Sequence, residues 1–196
     1  MAKTLIATFS PFESSISTFL AKEFASKLIY DEIIFFDAGR TVFPLYTQSL
    51  HEELTGIRPI TKANEHDIAV YDAILDKFIS SDKIVLAFPN WNLGCPPNLL
   101  SFLLGATRLN KTFICNSEGY RGLLHNKKAL IILSSGGIVY SDESCFALKQ
   151  NENILKMNGI SDISRVIADG FEQYPDKSEE IKERAKKELY LASENF

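Results

Sequence analysis

Three short segments carry side chains whose types and spacing can do chemistry: Ser10–Thr18, Phe88–Pro97 and Ser134–Gly137. In the first, Ser10, Ser14, Ser15, Ser17 and Thr18 form a row of hydroxyls just before a stretch of helical periodicity. Backbone N–H groups at a helix start attract an anion, and hydroxyls add hydrogen bonds to its oxygens. A monophosphate therefore fits there without any basic residue. The plainer alternative is helix capping by Ser14, Ser15 or Ser17, which is compatible with anion binding. The segment holds no glycine, so both the GxGxxG and the Walker phosphate loops are excluded.

The second segment places Trp91 between Asn90 and Asn92, after Pro89 and before Leu93. Trp91 offers a face to a planar ring, while the amide and backbone of Asn92 suit the polar edge of a heterocycle. A proline-rich turn that happens to carry an aromatic is the bland alternative. In the third segment, Ser134 and Ser135 lead into Gly136 and Gly137, and adjacent glycines permit close approach of backbone to ligand. Ordinary turns use the same pair. Metal binding has no support, because His51, His66 and His125 stand alone without ligand spacing.

These segments need elements to position them. Thr4–Thr8, Asp31–Phe36, Lys83–Phe88, Lys128–Leu133 and Ser164–Ala168 read as short buried strands. Between them lie helical patterns over Thr18–Leu28, Asn64–Ile79, Asn98–Leu104 and Asp142–Met157, with a charged helix from Asp176 to about Ala192 at the end. In the Asn64–Ile79 helix, Ile68, Tyr71, Leu75, Phe78 and Ile79 supply the apolar face. The connection after the second strand, marked by Pro44, Gly56 and Pro59, exceeds the usual length, as a functional loop or one covering a site would. Alternating strands and helices predict an α/β three-layer sandwich of flavodoxin-like type: one five-stranded parallel sheet, order 2-1-3-4-5, with helices on both faces. The three chemical segments then follow strands one, three and four, at the carboxyl ends where ligands bind in such sheets.

Residues 1–196 show no repeat, linker or low-complexity stretch and read as one domain. With 45% hydrophobic and 23% charged residues, the chain has an ordinary globular composition. A net charge of -4 excludes a nucleic-acid footprint, and the basic run Lys182–Lys187 is interleaved with glutamates as on a solvated helix. No stretch approaches the about 20 apolar residues of a membrane span, and no signal peptide is evident. Cys95, Cys115 and Cys145 form no CxxC pair and suit free thiols in a reducing cytoplasm.

Taken in order, the motifs resemble the FMN-dependent NADH azoreductases, also described as NADH:quinone oxidoreductases. The resemblance is densest over Ser81–Asp142: Pro89-Asn90-Trp91-Asn92-Leu93 after a strand, then a helix, then Thr112-Phe113, then Ser134-Ser135-Gly136-Gly137. Gly159-Ile160-Ser161-Asp162-Ile163 resembles the segment before the family's last strand. The resemblance implies that Ser10, Ser15, Ser17 and Thr18 hold the FMN phosphate. It implies that Pro89, Asn90, Trp91, Asn92 and Leu93 line the isoalloxazine, with Ser134, Ser135, Gly136 and Gly137 on its other polar edge.

It further implies NADH, or NADPH, as donor, a quinone or azo acceptor, ping-pong turnover and a homodimer with flavin sites at the interface. The chemistry would be borne by the flavin, so no catalytic side chain is nominated, and backbone N–H groups of Asn92–Gly94 and Gly136–Gly137 would stabilise charge on the reduced ring. The chain departs from the family pattern at Asn90, often methionine, at Trp91 for tyrosine, at Leu93 for phenylalanine and at Cys115 for tyrosine. Its phosphate loop is about one residue short and holds Pro11. The alternatives are a flavodoxin-type electron carrier and a flavin-free binding or regulatory relative.

Overall fold

The computed structural model of the protein describes residues 1–139 and 145–196. Among them the elements run β1 (Lys3–Thr8), α1 (Ile16–Ala25), β2 (Glu32–Asp37), α2 (Gln48–Leu54), α3 (Glu65–Ser80), β3 (Lys83–Pro89) and α4 (Pro97–Ala106). They continue with β4 (Phe113–Asn116), β5 (Gly119–Gly122), β6 (Lys128–Ser135), α5 (Phe146–Met157), β7 (Asp162–Asp169) and α6 (Ser178–Asn195). Each strand and helix expected from the periodicity is present, with ends shifted by a few residues. The first helix stops at Ala25, short of Leu28, although Leu28 is still buried. The part of the expected Asp142–Met157 helix before Cys145 lies outside the described residues.

Five strands form one parallel sheet in the order β2-β1-β3-β6-β7. The expected order 2-1-3-4-5 counted five strands in the whole chain. Two further strands, β4 and β5, pair antiparallel as a separate hairpin inside the β3–β6 crossover, so the numbering of the last two sheet strands changes. The central strands are apolar on both sides because both sides are covered. Leu5, Ala7, Ile84, Leu86, Ala129, Ile131 and Leu133 join the core beneath α3, α4 and α5. Ile6, Val85, Ala87, Leu130 and Ile132 alternate to the opposite core beneath α1 and α6. Phe102 of α4 anchors the first core, its ring 5.3 Å from Phe9 and 6.3 Å from Phe78, both edge-on.

In α3 the buried positions are Ile68, Tyr71, Ile74, Leu75 and Phe78. Ile79, expected on that face, is exposed instead, because it falls about 100° past Phe78 on the helix. The charged helix α6 buries Ile181, Ala185 and Leu189 and pairs its outer face as Lys182–Glu179 at 2.6 Å and Lys186–Glu183 at 2.8 Å.

The long connection after β2 contains α2 and is tied down by one carboxylate. Glu53, buried, accepts from the Thr61 N–H and hydroxyl and from Asn64 Nδ2, each at 3.0 Å, and from Ser49 Oγ at 3.2 Å. The Thr61 backbone bond foremost, these donors hold the Glu53 carboxyl below its ordinary range against the opposing effect of its burial.

At the amino ends of the strands, Asp31 accepts from Lys83 Nζ at 2.8 Å and from Thr4 Oγ1 at 2.6 Å, linking β2, β1 and β3. Burial alone would raise the Asp31 carboxyl, but the Lys83 and Thr4 hydrogen bonds and the Lys83 charge outweigh it and leave the group below its ordinary 3.8. A carboxyl depressed in the folded state stabilises the protein above its unfolded value and loses that contribution as pH falls through the folded value. Asp31→Asn should therefore destabilise the protein by about 2 kcal/mol at neutral pH, with the deficit shrinking below pH 3.8; urea unfolding at several pH values measures both.

Candidate functional site

The registers of β1, β3 and β6 bring the three chemical segments to one level. Thr8 pairs with Ala87, and Pro89 pairs with Ser134. Both ladders run one residue past their strands, through Phe9 N–H to Ala87 O at 3.0 Å and Asn90 N–H to Ser134 O at 2.7 Å. The loops thus leave the sheet already hydrogen-bonded. Between them opens a cleft of about 660 Å³, within the range of small-molecule and cofactor sites.

One wall is the loop before α1. Ser15 caps the helix, its Oγ accepting from Thr18 N–H at 3.3 Å, so the capping reading holds. Capping by one serine leaves the other N–H groups of the first turn open. Those of Ser14, Ile16 and Ser17 have no partner among the described residues, and the first turn of α1 carries no acid. Ser10, Ser14 and Ser15 line the cleft. Ser17 does not: it is fully buried with its Oγ 3.1 Å from Ser15 Oγ, one layer behind. Thr18 does not either: its N–H serves the cap, and its Oγ1 is buried without a partner among the described residues. Gly39 supports this loop from below; its N–H donates to Thr8 O at 2.9 Å, and a Cβ there would lie 2.2 Å from Ser10 O. Only glycine allows that approach.

The second wall is the turn after β3. Trp91 and Gly94 exchange backbone bonds of 3.1 and 2.8 Å, and the central pair Asn92 and Leu93 both have positive φ, 49° and 63°. This is a type I′ turn closed by two residues that are not glycine. Asparagine tolerates the left-handed region; leucine does so at a cost, and Leu93 is 75% exposed, so no packing repays it. The N–H groups of Asn92 and Leu93 have no partner among the described residues. Gly94 was expected to offer a third such donor, but its N–H is consumed by Trp91 O in closing the turn. The Trp91 ring meets Phe12 edge-on at 6.1 Å, which steadies it beside the loop before α1.

The third wall is the end of β6. Ser134, Ser135, Gly136 and Gly137 line the cleft with Pro89, Asn90, Trp91, Asn92 and Leu93. Gly136 O accepts from Glu172 N–H at 2.9 Å, and Glu172 packs so closely that a Cβ on Gly136 would meet its carboxylate at 2.5 Å. A Cβ on Gly137 would meet nothing within 4 Å among the described residues. The N–H groups of both glycines have no partner among the described residues.

Sequence reasoning did not single out Phe12, Ile16, Ile138, Phe171 or Glu172, which also line the cleft. The signal for the last two was the Gly170 that ends β7, since the strand beside β6 must deliver its own loop to the same edge. No residue of the long connection after β2 lines this cleft, although Gly39 packs beneath the Ser10 loop. Among the described residues no basic side chain lines the cleft, and no cluster of His, Cys, Asp and Glu could hold a metal. Cys95, just past the turn, has its thiol pushed up to about 11, chiefly by burial, so it stays protonated and is no nucleophile at neutral pH.

A cleft of this shape at the switch edge of a parallel sheet defines an α/β cofactor protein, and comparison with known proteins narrows the class. The family model of the flavodoxin-like fold matches residues 2–191. An FMN-dependent NADH:quinone oxidoreductase of Bacillus cereus is 28% identical over 201 residues, covering 94% of this chain and 95% of that protein. One from Listeria innocua serovar 6a is 33% identical over 155 residues, 76% of this chain and 74% of that protein. The crystal structure of an azoreductase from Bacillus anthracis str. Sterne superposes with a TM-score of 0.91 at 25% identity, covering 100% of both chains. The chain belongs to the flavodoxin-like family of FMN-dependent NADH:quinone oxidoreductases and azoreductases.

The strained turn yields a direct test. Leu93→Asn should stabilise the ligand-free protein by about 1 kcal/mol, seen as a higher melting temperature. An unchanged or lower value would show that Leu93 carries no strain.

Proposed function

We propose that the cleft binds FMN and that the protein reduces quinone or azo acceptors with NADH. The observation that carries this reading is the convergence of unpartnered backbone N–H groups from three loops on one cleft without a basic side chain. Those of Ser14 and Ile16, with the Ser10, Ser14 and Ser15 hydroxyls, suit a phosphate at a helix start. Those of Asn92, Leu93, Gly136 and Gly137 suit the oxygens and nitrogens of a flavin ring. Bound FMN supplies two-electron transfer, accepting from the nicotinamide and giving to the acceptor in turn.

The protein's part is placement. Trp91 gives the ring an aromatic wall held by Phe12. The donors of the two turns are fixed before any ligand arrives, so they favour negative charge on the ring without reorganising. With the Cys95 thiol protonated, no side chain of the turn offers a nucleophile. The whole of 1–196 acts as one FMN-binding unit. Free cysteines, and no helix among the described residues long and apolar enough to cross a membrane, support a place in the cytoplasm.

The protein works as a homodimer. A second, apolar groove of about 480 Å³ runs between α2, α4 and α5, with Leu100, Leu104 and Leu109 exposed along it. Arg108 lies in its wall, holding Asp72 at 2.9 Å with one nitrogen while its buried Nε and Nη2 have no partner among the described residues. A second copy would cover the leucines and offer acceptors to the guanidinium.

Two measurements test the reading. The purified protein titrated with FMN should show perturbed flavin bands that bleach with NADH under anaerobic conditions and return on adding a quinone. Trp91→Ala should weaken FMN binding about tenfold, and an unchanged affinity would remove Trp91 from the site. For the assembly, light scattering should find a dimer that Leu104→Glu converts to a monomer; a monomeric wild type would end that proposal.

A further inference from the structure

Beside the end of the cleft where α1 begins lies a hollow of about 230 Å³ that shares Ser14, Ser15 and Ile16 with the cleft. Lys182 of α6 also lines it, the one cation among the described residues to do so. The helix is fixed there by Ile181 and Ala185, which pack into one core with Leu20, Ala21 and Phe24 of α1. The Lys182 side chain is 26% exposed, while Glu179, whose Oε1 accepts from Lys182 Nζ at 2.6 Å, is 82% exposed. The lysine stem is held and its partner is loose. A pair of this kind on a helix surface contributes little and is easily given up.

The place of that charge needs a reason. A helix start carries partial positive charge, so anions belong beside it and a cation does not. At α1 the Ser14 and Ile16 N–H groups are open and the first turn holds no acid, yet an ammonium stands in the adjoining wall. Glu13, which lines the same hollow, is 90% exposed and 3.4 Å from Arg40. Lys186 shows the ordinary arrangement one turn further on. It pairs with Glu183 at 2.8 Å in the same spacing, and it lines a different groove, with Glu23 and Lys27.

An anion between α1 and Lys182 would satisfy both at once. We propose that Lys182 leaves Glu179 to meet the FMN phosphate, and so makes the protein select FMN over riboflavin, which has the same ring and no phosphate. The proposal rests on the assignment of FMN to the cleft. A phosphate monoester carries about two negative charges at neutral pH against one on Glu179, which favours the exchange.

The test measures FMN and riboflavin affinities by quenching of flavin fluorescence in the wild type, Lys182→Gln, Glu179→Gln and Lys186→Gln. Lys182→Gln should bind FMN about fivefold more weakly and riboflavin as the wild type does. Glu179→Gln, which frees the lysine, should bind FMN about threefold more tightly. Lys186→Gln makes the same change in net charge and should leave both affinities as they were. An unchanged FMN affinity in Lys182→Gln, an equal loss for both flavins, or an equal loss of FMN affinity in Lys186→Gln would overturn the proposal. The comparison with Lys186→Gln decides the matter even where riboflavin binds too weakly to measure. A wild type that binds neither flavin would instead overturn the assignment of the cleft itself.

Discussion

The parallel register of β1, β3 and β6 is the constraint on which everything at the cleft depends. Side chains in a strand alternate, so a slip of one residue would exchange the two cores and put each side chain into the packing shaped for the other face. Burial of Leu5 and Ala7 on one face and Ile6 on the other forbids that slip. Once the register is held, Thr8, Pro89 and Ser134 end at one level, and the bonds from Phe9 and Asn90 carry the ladder into the loops. The donors of the cleft are therefore positioned by apolar packing beneath them, not by contacts among themselves.

Some departures from good local bonding lie at that edge, others away from it, as at Asn151 and Asn158. At the edge, Thr8 Oγ1 and Asn90 Oδ1 are buried without partners among the described residues, and Asn92 and Leu93 share a left-handed turn. Beneath them the sheet core is aliphatic and aromatic. A binding site needs groups that stay unpaired until a ligand comes, and such groups are tolerated only where a rigid scaffold over-determines their positions. The same logic applies at Arg108, where two guanidinium nitrogens are orphaned beside exposed leucines.

Much of this was legible in the residues. Strands such as Lys83–Pro89 announce themselves because burial on both faces leaves an unbroken apolar run, and α3 because its apolar residues recur at helical spacing. The hydroxyl row, the tryptophan turn and the glycine pair were visible because each follows such a run. The hairpin of β4 and β5 was not. Its residues are mostly exposed and carry no alternation, and it exists through pairing of Cys115 with Tyr120 and its neighbours. The helix α2 is seven residues long, too short to be marked by periodicity, and depends on the Glu53 anchor to segments eight or more residues away.

By itself, then, the sequence determined the alternation of elements, the two-sided burial of the sheet and the chemical types waiting at its carboxyl edge, because these follow from local periodicity and side-chain chemistry. Only the tertiary structure decided which members of the serine row face the cleft, Ser10, Ser14 and Ser15 but not Ser17, since that depends on how α1 is rotated against the sheet. It alone brought Phe171 and Glu172 to the site, because β7 pairs beside β6. It alone withdrew the Gly94 N–H and left the Asn90 amide unpaired, since both follow from how the turn after β3 closes and docks on Ser134. Hydrogen-bond supply and demand are settled by neighbours distant in the chain, and no local pattern records them.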